Sequence, residues 1–445
     1  MGIERDNMIT IVGLGYVGLP TALAFYEAGY KVGGIDISEK VIEGIKNGKS
    51  PLIDVSAEIE IPTNDDRWYV TTNYEDIIPK SDVILITVPT PVDDEKKPDL
   101  TYVKLASRSV ISNLPKGQRK IVVLESTVYP GVTREVLGGI CQELGMEQGK
   151  DIILAYCPER VDPGQTDRGV SDVAQIIGCD DEKIGKEITE MFGTITLESA
   201  TYVGKLEVAE ASKMVENLQR DIDIALANEL AVVLPKLGID VEQVLAAAST
   251  KWNFHRHTPG IGVGGHCIPV DPYYYISLAE KVGKPSLLSL GARKMNESMP
   301  YHVSEEVLSL LKEKYPTKED RWKVLVLGYS YKPELGDTRE TPVEDLTKSL
   351  SDEGVEVLVW DPLVDNSEMP TWIVPVEDPY NCRDIDGIIL ATAHKSVLSL
   401  DWERMKKDTR NDLIYDGRRV LSGEKMIAMG WQYSGVGVPS FDSDF

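Results

Sequence analysis

The stretch MITIVGLGYVGLP, Met8 to Pro20, narrows the fold more than any other part of the chain. A short β-branched run ends in glycines, and TALAFYEAG then follows a helical pattern. Gly13, Gly15 and Gly18 stand in the G-x-G-x-x-G spacing. Such triplets also arise in ordinary turns, but between a strand and a helix each glycine has a task. The first permits a tight turn, the second lets the backbone approach a pyrophosphate, and the third lets helix and strand pack closely. The helix then presents unpaired N–H groups to the phosphates. Asp36 ends the next strand, KVGGIDIS, where a carboxylate accepts from ribose hydroxyls and repels a 2′-phosphate. The pattern predicts a dinucleotide site that takes NAD in preference to NADP.

Further apolar strands are expected at SDVILITVP, KIVVLEST and DIILAYCP, separated by helical or loop stretches. Strands alternating with helices imply a parallel, doubly wound sheet, here ending near Ala200. The segment KLEVAEASKMVENLQRDIDIALANELAVVLPKLG follows. In it Val208, Ala211, Val215, Leu218, Ile222 and Ala225 recur at helical spacing, and Gly238 suits a stop. A helix of about thirty residues spans ~45 Å at 1.5 Å per residue. That length suits both joining domains and building a subunit interface. Alternation restarts after about Asp320, with strands expected in WKVLVLGYSY, EVLVWDP, DGIILATAH and DLIYDGRRVL. The charged, proline-bearing KEKYPTKEDRW reads as a boundary, and the tail SGVGVPSFDSDF as frayed. The expected fold is α/β, two Rossmann-like doubly wound domains joined by a long central helix. Its expected divisions are residues 1–200, 201–300 and 301–445.

A chain of 445 residues exceeds one ordinary core and suits about two or three domains. No apolar run approaches the roughly 20 residues that cross a bilayer, so no membrane association is expected. MGIERDN lacks the apolar segment of a signal peptide, and a cytoplasmic location is expected. The five cysteines, Cys141, Cys157, Cys179, Cys267 and Cys382, include no C-x-x-C pair. That argues against a disulfide framework or a structural zinc site, and no metal is expected. The net charge of -25 argues against nucleic acid as a partner. It also requires a locally positive pocket for any anionic ligand.

The stretch GIGVGGHCIPVDPYYY, Gly260 to Tyr275, sets Cys267 and then Asp271 behind four glycines. A free cysteine is ordinarily a small core hydrophobe. Lys213 and Asn217 lie four apart on the long helix and project from one face; the ordinary reading is a solvated lysine and a polar neighbour. Thr127 in ESTVYPG and Glu159 in CPER each follow a strand, where sheets of this kind bind ligands, although either could be a loop cap.

GLGYVGLP, ESTVYPG, PER, the lysine and asparagine of SKMVEN, GVGGHCIPVDPYY and GYSYKPELGDTRETP occur in that order. Together they resemble the UDP-glucose/GDP-mannose 6-dehydrogenase family over nearly the whole chain. GGHCIPVDP looks like the branch acting on UDP-N-acetylhexosamines, since the UDP-glucose branch typically carries Ser in place of His266. The resemblance implies NAD-dependent, four-electron oxidation of a C6 alcohol to a uronic acid for polysaccharide or glycan precursors. UDP-N-acetyl-D-mannosamine is the best match, with UDP-N-acetylglucosamine or UDP-glucose as alternatives.

The chemistry accounts for the cysteine, because a thiol adds to the intermediate aldehyde and makes a thiohemiacetal that can lose a second hydride. The thioester formed is then hydrolysed. A helix starting at YYYISLAEKV would favour the thiolate, and the glycines would let the loop backbone come close to the sugar.

By resemblance Cys267 is the nucleophile, while Lys213 and Asn217 stabilise the oxyanion. Asp271 orders the lysine or a water, and Thr127 and Glu159 position the hydrolytic water. Gly13, Gly15, Tyr16, Val17, Gly18, Asp36, Thr90 and Thr127 would contact the cofactor. Glu159, Arg160, Lys213, Asn217, Arg256, Gly264, Lys332 and Arg339 would contact the UDP-sugar, the last two within the C-terminal domain. A homodimer or higher homo-oligomer is implied. Where relatives commonly carry an arginine that reaches the neighbouring subunit's substrate, this chain has Asn253, and Arg256 lies three residues on.

Two rival classes remain at this stage. His255, His257, His266 and Cys267 could be imagined as metal-hydrolase ligands, but their spacing matches no zinc motif. A non-catalytic NAD-binding protein would have no use for Cys267, Lys213, Asn217 and Asp271 together.

Overall fold

β1 (Met8–Val12) is an interior strand whose Ile9, Ile11 and Val12 are sealed from solvent. β-Branched runs of this kind suit a sheet covered on both faces. Its sheet is completed by β2 (Lys31–Ile35), β3 (Trp68–Thr71), β4 (Val83–Ile86), β5 (Lys120–Leu124), β6 (Ile152–Tyr156), β7 (Gln175–Cys179) and β8 (Ala200–Gly204). The order is β3-β2-β1-β4-β5-β6-β7-β8. Neighbours run parallel except β6 with β7. The computed structural model describes residues 2–51, 60–63, 65–160, 169–314, 321–407 and 409–439. β3, β7 and β8 add to the five strands expected from apolar runs, and β8 carries the first sheet from Ala200 to Gly204.

A second sheet holds β9 (Lys323–Leu327), β10 (Glu356–Trp360), β11 (Ile373–Pro375), β12 (Ile385–Leu390), β13 (Thr409–Asp416) and β14 (Gln432–Gly435). All are parallel, in the order β11-β10-β9-β12-β13-β14. Both sheets therefore reverse winding direction beside their first strand, which is where such sheets bind ligands. The expectation of four strands is corrected to six. The two extra ones are short edge strands, and the three-residue β11 ends in a proline that only an edge tolerates.

The expected fraying of the tail is also corrected. Ser434 and Gly435 belong to β14, Val436 is 1% exposed, and the Gly437 carbonyl accepts from Val241 N–H at 3.1 Å. Residues 440–445 of that tail and 315–320 of the expected boundary lie outside the described residues.

The two sheets share one local geometry. Gly13 follows β1 with φ 99° and donates its N–H to the Ile35 carbonyl at 2.8 Å. Gly328 follows β9 with φ 91° and donates to the Trp360 carbonyl at 2.8 Å. The Leu14 N–H then donates to Asp36 at 2.9 Å, and the Tyr329 N–H to Asp361 at 2.6 Å. Each aspartate sits just past the second strand of its sheet. The likeness of the two halves thus extends from pattern to hydrogen bonds.

The central helix runs Leu206–Val233, 28 residues, and passes through a 3-10 turn to Gly238 at φ 70°. The apolar positions at helical spacing divide: Ala225 is buried, and Ala211, Leu218 and Ile222 are half-buried. Val208 is 47% and Val215 53% exposed, as are Leu226 and Val233 to similar extents. The buried positions also include Glu210, Lys213, Asp221 and Asn228 along with Leu206, Ala209, Met214, Ala227 and Ala231. By contact the chain divides into two compact units, Met1–Asn217 with Tyr273–Lys284, and Leu218–Pro272 with Pro285–Phe445. The first sheet's core gathers Ile9, Leu19, Phe25, Val123 and Phe192; that of the second gathers Val307, Val326, Leu346 and Tyr415.

Candidate active site

In the first unit the turn after β1 shows a separate physical reason for each glycine. Gly13 needs its positive φ, and a Cβ on Gly18 would lie 1.8 Å from the Gly13 carbonyl oxygen. A Cβ on Gly15 would meet nothing within 4 Å, so that backbone faces open space. Helix Gly18–Glu27 begins at this turn. Asp36 Oδ2 accepts from Leu14 N–H and Oδ1 from Ser38 N–H, both at 2.9 Å. The half-buried carboxylate keeps further lone pairs for hydroxyl donors. These residues fit a dinucleotide: an open glycine over a helix N-terminus, with a carboxylate at the next strand end. Tyr16 and Val17 belong to the same half-buried turn. The Thr90 carbonyl past β4 is held by the Tyr274 hydroxyl at 3.1 Å.

The ends of β5 and β6 carry the next group. Thr127 and Glu159 are both half-buried. Glu210 of the central helix accepts from Gly131 N–H at 2.6 Å and Thr133 N–H at 2.8 Å, fixing the ESTVYPG loop to that helix. Arg160 forks onto Glu216 with Nη2 at 2.7 Å and Nε at 3.1 Å, and its Nη1 donates to the Ala174 carbonyl at 2.9 Å. The strand ends are thereby tied to the turn of helix that bears Lys213 and Asn217. Lys213 is only 7% exposed, so the solvated-lysine reading does not hold.

Glu125, which the sequence reading passed over, is fully enclosed just past β5. Burial and then the neighbouring Glu159 charge push its carboxyl well above the usual range. Its Oε2 finds no hydrogen-bond partner among the described residues. Cys157 shares this environment, and its thiol is likewise pushed up by burial and by both carboxylates.

In the second unit Cys267 is exposed, whereas Cys141, Cys157, Cys179 and Cys382 are buried. The Cys267 carbonyl accepts from Val270 N–H at 3.2 Å and Asp271 N–H at 2.8 Å, and helix Asp271–Lys281 starts there. Asp271 itself is 2% exposed. The glycines before the cysteine admit the chain's own C-terminal domain. A Cβ on Gly264 would lie 2.5 Å from Tyr331 Cβ and 2.7 Å from the Glu340 carbonyl oxygen. One on Gly265, at φ 89°, would lie 2.7 Å from the Tyr331 ring. The Gly265 N–H donates to the Arg339 carbonyl at 3.3 Å.

Arg339 holds Asp337 through Nε at 2.8 Å and Nη2 at 2.6 Å. Crowding by surrounding protein, and then the Arg339 charge, lower the pKa of the His266 imidazole, which still meets solvent. Lys332 is half-buried, and its carbonyl accepts from the Ser330 hydroxyl at 3.2 Å. Arg256 pairs with Glu242. Among the described residues no group of three or more His, Cys, Asp and Glu side chains is placed to hold a metal ion. No helix among them is long and apolar enough to cross a membrane.

The chain matches three domain models of the UDP-glucose/GDP-mannose dehydrogenase family: the NAD binding domain over residues 7–196, the central domain over 207–298 and the UDP binding domain over 325–423. It is 36% identical over 426 residues to UDP-N-acetyl-D-glucosamine 6-dehydrogenase of Pseudomonas aeruginosa, covering 95% of this chain and 99% of that protein. It is 34% identical over 436 residues to UDP-N-acetyl-D-mannosamine dehydrogenase of Pyrococcus horikoshii, covering 96% and 99%. The solved structure of a UDP-D-ManNAc dehydrogenase from Pyrococcus horikoshii matches with TM-score 0.85 at 32% identity, covering 98% of this chain and all of that one.

Proposed function

The chain belongs to the UDP-glucose/GDP-mannose dehydrogenase family of NAD-dependent oxidoreductases, and on that premise we propose that it oxidises the C6 alcohol of a UDP-N-acetylhexosamine to the uronic acid. The observation that carries the reading is the contrast among its cysteines: Cys267 meets solvent in a glycine-rich loop, and the other four are core residues. UDP-N-acetyl-D-mannosamine is the expected sugar, in keeping with relatives of that name. UDP-N-acetyl-D-glucosamine is the second reading, supported by relatives at 36% and 37% identity.

Gly13, Gly15, Gly18 and Asp36 would hold NAD, which would supply the hydride acceptor for both oxidations. The chain's own groups do the rest. The Cys267 thiolate adds to the C6 aldehyde, forming a C–S bond while the carbonyl becomes an alkoxide. Lys213 and Asn217 stabilise the negative oxygen at C6. After the second oxidation the thioester accepts a water positioned by Thr127 and Glu159, and the thiolate leaves as the acid forms. Asp271 orders the lysine or that water. Lys332 and Arg339 supply positive charge toward the diphosphate, with the Arg339 guanidinium held in place by Asp337.

We further propose a homodimer built on the central helix, since Val208, Val215, Leu226 and Val233 remain exposed along it. The decisive assay follows NADH across UDP-N-acetylmannosamine, UDP-N-acetylglucosamine and UDP-glucose, with sugar acid quantified at completion. Two NADH per sugar, and no acid from Cys267→Ala, are expected. One NADH per sugar, or full turnover by the variant, overturns the covalent route.

A further inference from the structure

We propose that the buried chain of side chains Arg293, Asp221, Asn296 and Asn228 is a positioning device for the cysteine loop, holding both ends of the segment from Gly260 to Ile268. Asn228 Oδ1 accepts from the Gly260 N–H at 3.0 Å. That donor fixes the amide's orientation, so Nδ2 must face away, and it donates to Asn296 Oδ1 at 2.8 Å. Asn296 is thereby oriented too, and its Nδ2 donates to Asp221 Oδ1 at 2.8 Å and to the Asp221 carbonyl at 3.0 Å. Arg293 Nη1 donates to the same Oδ1 at 2.7 Å and reaches the Ile268 carbonyl at 3.4 Å. Asp221 and Asn228 are fully buried, with Asn296 at 1% and Arg293 at 3% exposure.

Every bond in this chain has one permitted direction, and both of its ends are backbone groups of the loop. A buried ion pair is a weak source of stability, because apolar residues of the same volume commonly serve as well. What a directional polar chain adds is a single geometry. The loop needs one, since Gly260, Gly262, Gly264 and Gly265 leave its backbone free to wander. Gly262 lies against helix Leu287–Lys314, which bears Arg293 and Asn296: a Cβ there would be 3.3 Å from the Asn296 carbonyl oxygen. The four side chains act through the loop and touch no reacting atom. The anchoring itself stands on this geometry, and only its effect on turnover rests on the function proposed above.

Asn228→Asp keeps the size and still accepts from Gly260, but as a carboxylate it has no proton to give Asn296. Arg293→Lys keeps the charge beside Asp221 and shortens the reach to Ile268. Ser304→Ala, at a fully buried serine of the same helix that is hydrogen-bonded by Ser349, is the control. Amide hydrogen exchange and steady-state kinetics are measured on all of them and on wild type. In Asn228→Asp, exchange across residues 260–268 is expected to quicken about tenfold or more while helices Leu206–Val233 and Leu287–Lys314 stay protected. With it kcat for the UDP-sugar falls about tenfold and KM for NAD stays within about twofold. Arg293→Lys moves both in the same direction, and the control moves neither.

Loop exchange within about twofold of wild type in both variants, or equal loss of protection in loop and helices, overturns the proposal. If Asn228→Asp fails to fold, Arg293→Lys and wild type decide it: a wild-type Gly260 amide that exchanges as fast as open loop refutes the anchoring. A loop that loosens in the variants, in a wild type that oxidises no UDP-sugar, leaves the anchoring standing and removes the proposed function instead.

Discussion

Replacing Asp361 by asparagine changes one atom, yet the structure assigns it a large cost. The carboxylate has five donors. Oδ2 accepts from Tyr329 N–H at 2.6 Å, Ser330 N–H at 3.0 Å and His394 Nε2 at 3.1 Å. Oδ1 accepts from Leu363 N–H at 2.9 Å and Val364 N–H at 3.2 Å. His394 is fixed as a donor here because its Nδ1 accepts from Glu334 N–H at 3.0 Å. Its proton therefore sits on Nε2. An asparagine can accept through one atom only. Whichever way it turns, its NH2 confronts at least two N–H groups that lose their acceptor. At roughly 1–3 kcal/mol for each stranded buried donor, the substitution should cost about 3–5 kcal/mol.

The pH dependence gives an independent check. Burial alone would raise the Asp361 pKa, but the His394 and backbone hydrogen bonds outweigh it and bring 3.8 down to about 2. A shift of that size corresponds to about 2 kcal/mol. A depressed carboxylate contributes stability above its unfolded pKa and loses it as pH falls through the folded one. The gap between wild type and Asp361→Asn should therefore be level from about pH 5 to 8 and narrow between about pH 4 and 2. Urea unfolding followed by tryptophan fluorescence reads the right unit, since six of the seven tryptophans lie in it. A gap under about 1 kcal/mol at neutral pH, or one that widens on acidification, refutes the five-donor account.

Three further outcomes follow from the geometry. Asp36→Asn removes the charge that opposes a 2′-phosphate, so the kcat/KM ratio of NADP to NAD should rise about tenfold or more; an unchanged ratio assigns cofactor choice elsewhere. Gly264→Ala forces a Cβ within 2.5 Å of Tyr331 and 2.7 Å of a backbone oxygen. It should lower stability by about 2–3 kcal/mol in the same urea assay, and a neutral result would show that the loop can shift away from the C-terminal domain. Lys213→Met keeps an apolar stem and removes the charge; kcat for acid formation should drop about 10²-fold or more with the fold intact, and a change confined to KM would deny it an oxyanion role.

The parts of the fold that were legible in the sequence are those where local chemistry has one solution. GLGYVG followed by Asp36 required a strand, a turn and a helix, and the long β-branched runs became interior strands. The short edge strands β3, β11 and β14 were not legible, because their few residues satisfy only one neighbour and carry little apolar signal. The central helix was legible as an element, but its buried polar positions were not. Val208 and Val215 showed helical spacing and lie exposed, while Glu210, Lys213, Asp221 and Asn228 repeat at spacings that also close on one helical face and are buried. A polar stripe at helical period was the available signal for those positions. The partners Arg293 and Asn296 lie more than sixty residues away in sequence. No local pattern ties them to Asp221, so that part of the cysteine loop's support appears only in three dimensions.

The two aspartates that close the parallel turns show how one local geometry can serve two ends. Asp36 and Asp361 each follow the second strand of their sheet, and each accepts an N–H from the turn after the first. Asp36 accepts two backbone N–H groups and stays partly open, so its remaining lone pairs can meet ribose hydroxyls. Asp361 is 6% exposed and has taken His394 as a further donor, where a ribose hydroxyl would otherwise bind. The imidazole thus fills, from within the chain, the hydrogen-bonding role proposed for a dinucleotide at Asp36 in the first sheet. Ser330 donates its N–H to the same Asp361 oxygen at 3.0 Å and its hydroxyl to the Lys332 carbonyl at 3.2 Å. In the second sheet the acidic position thus holds the loop that carries Lys332, the residue proposed above to face the diphosphate.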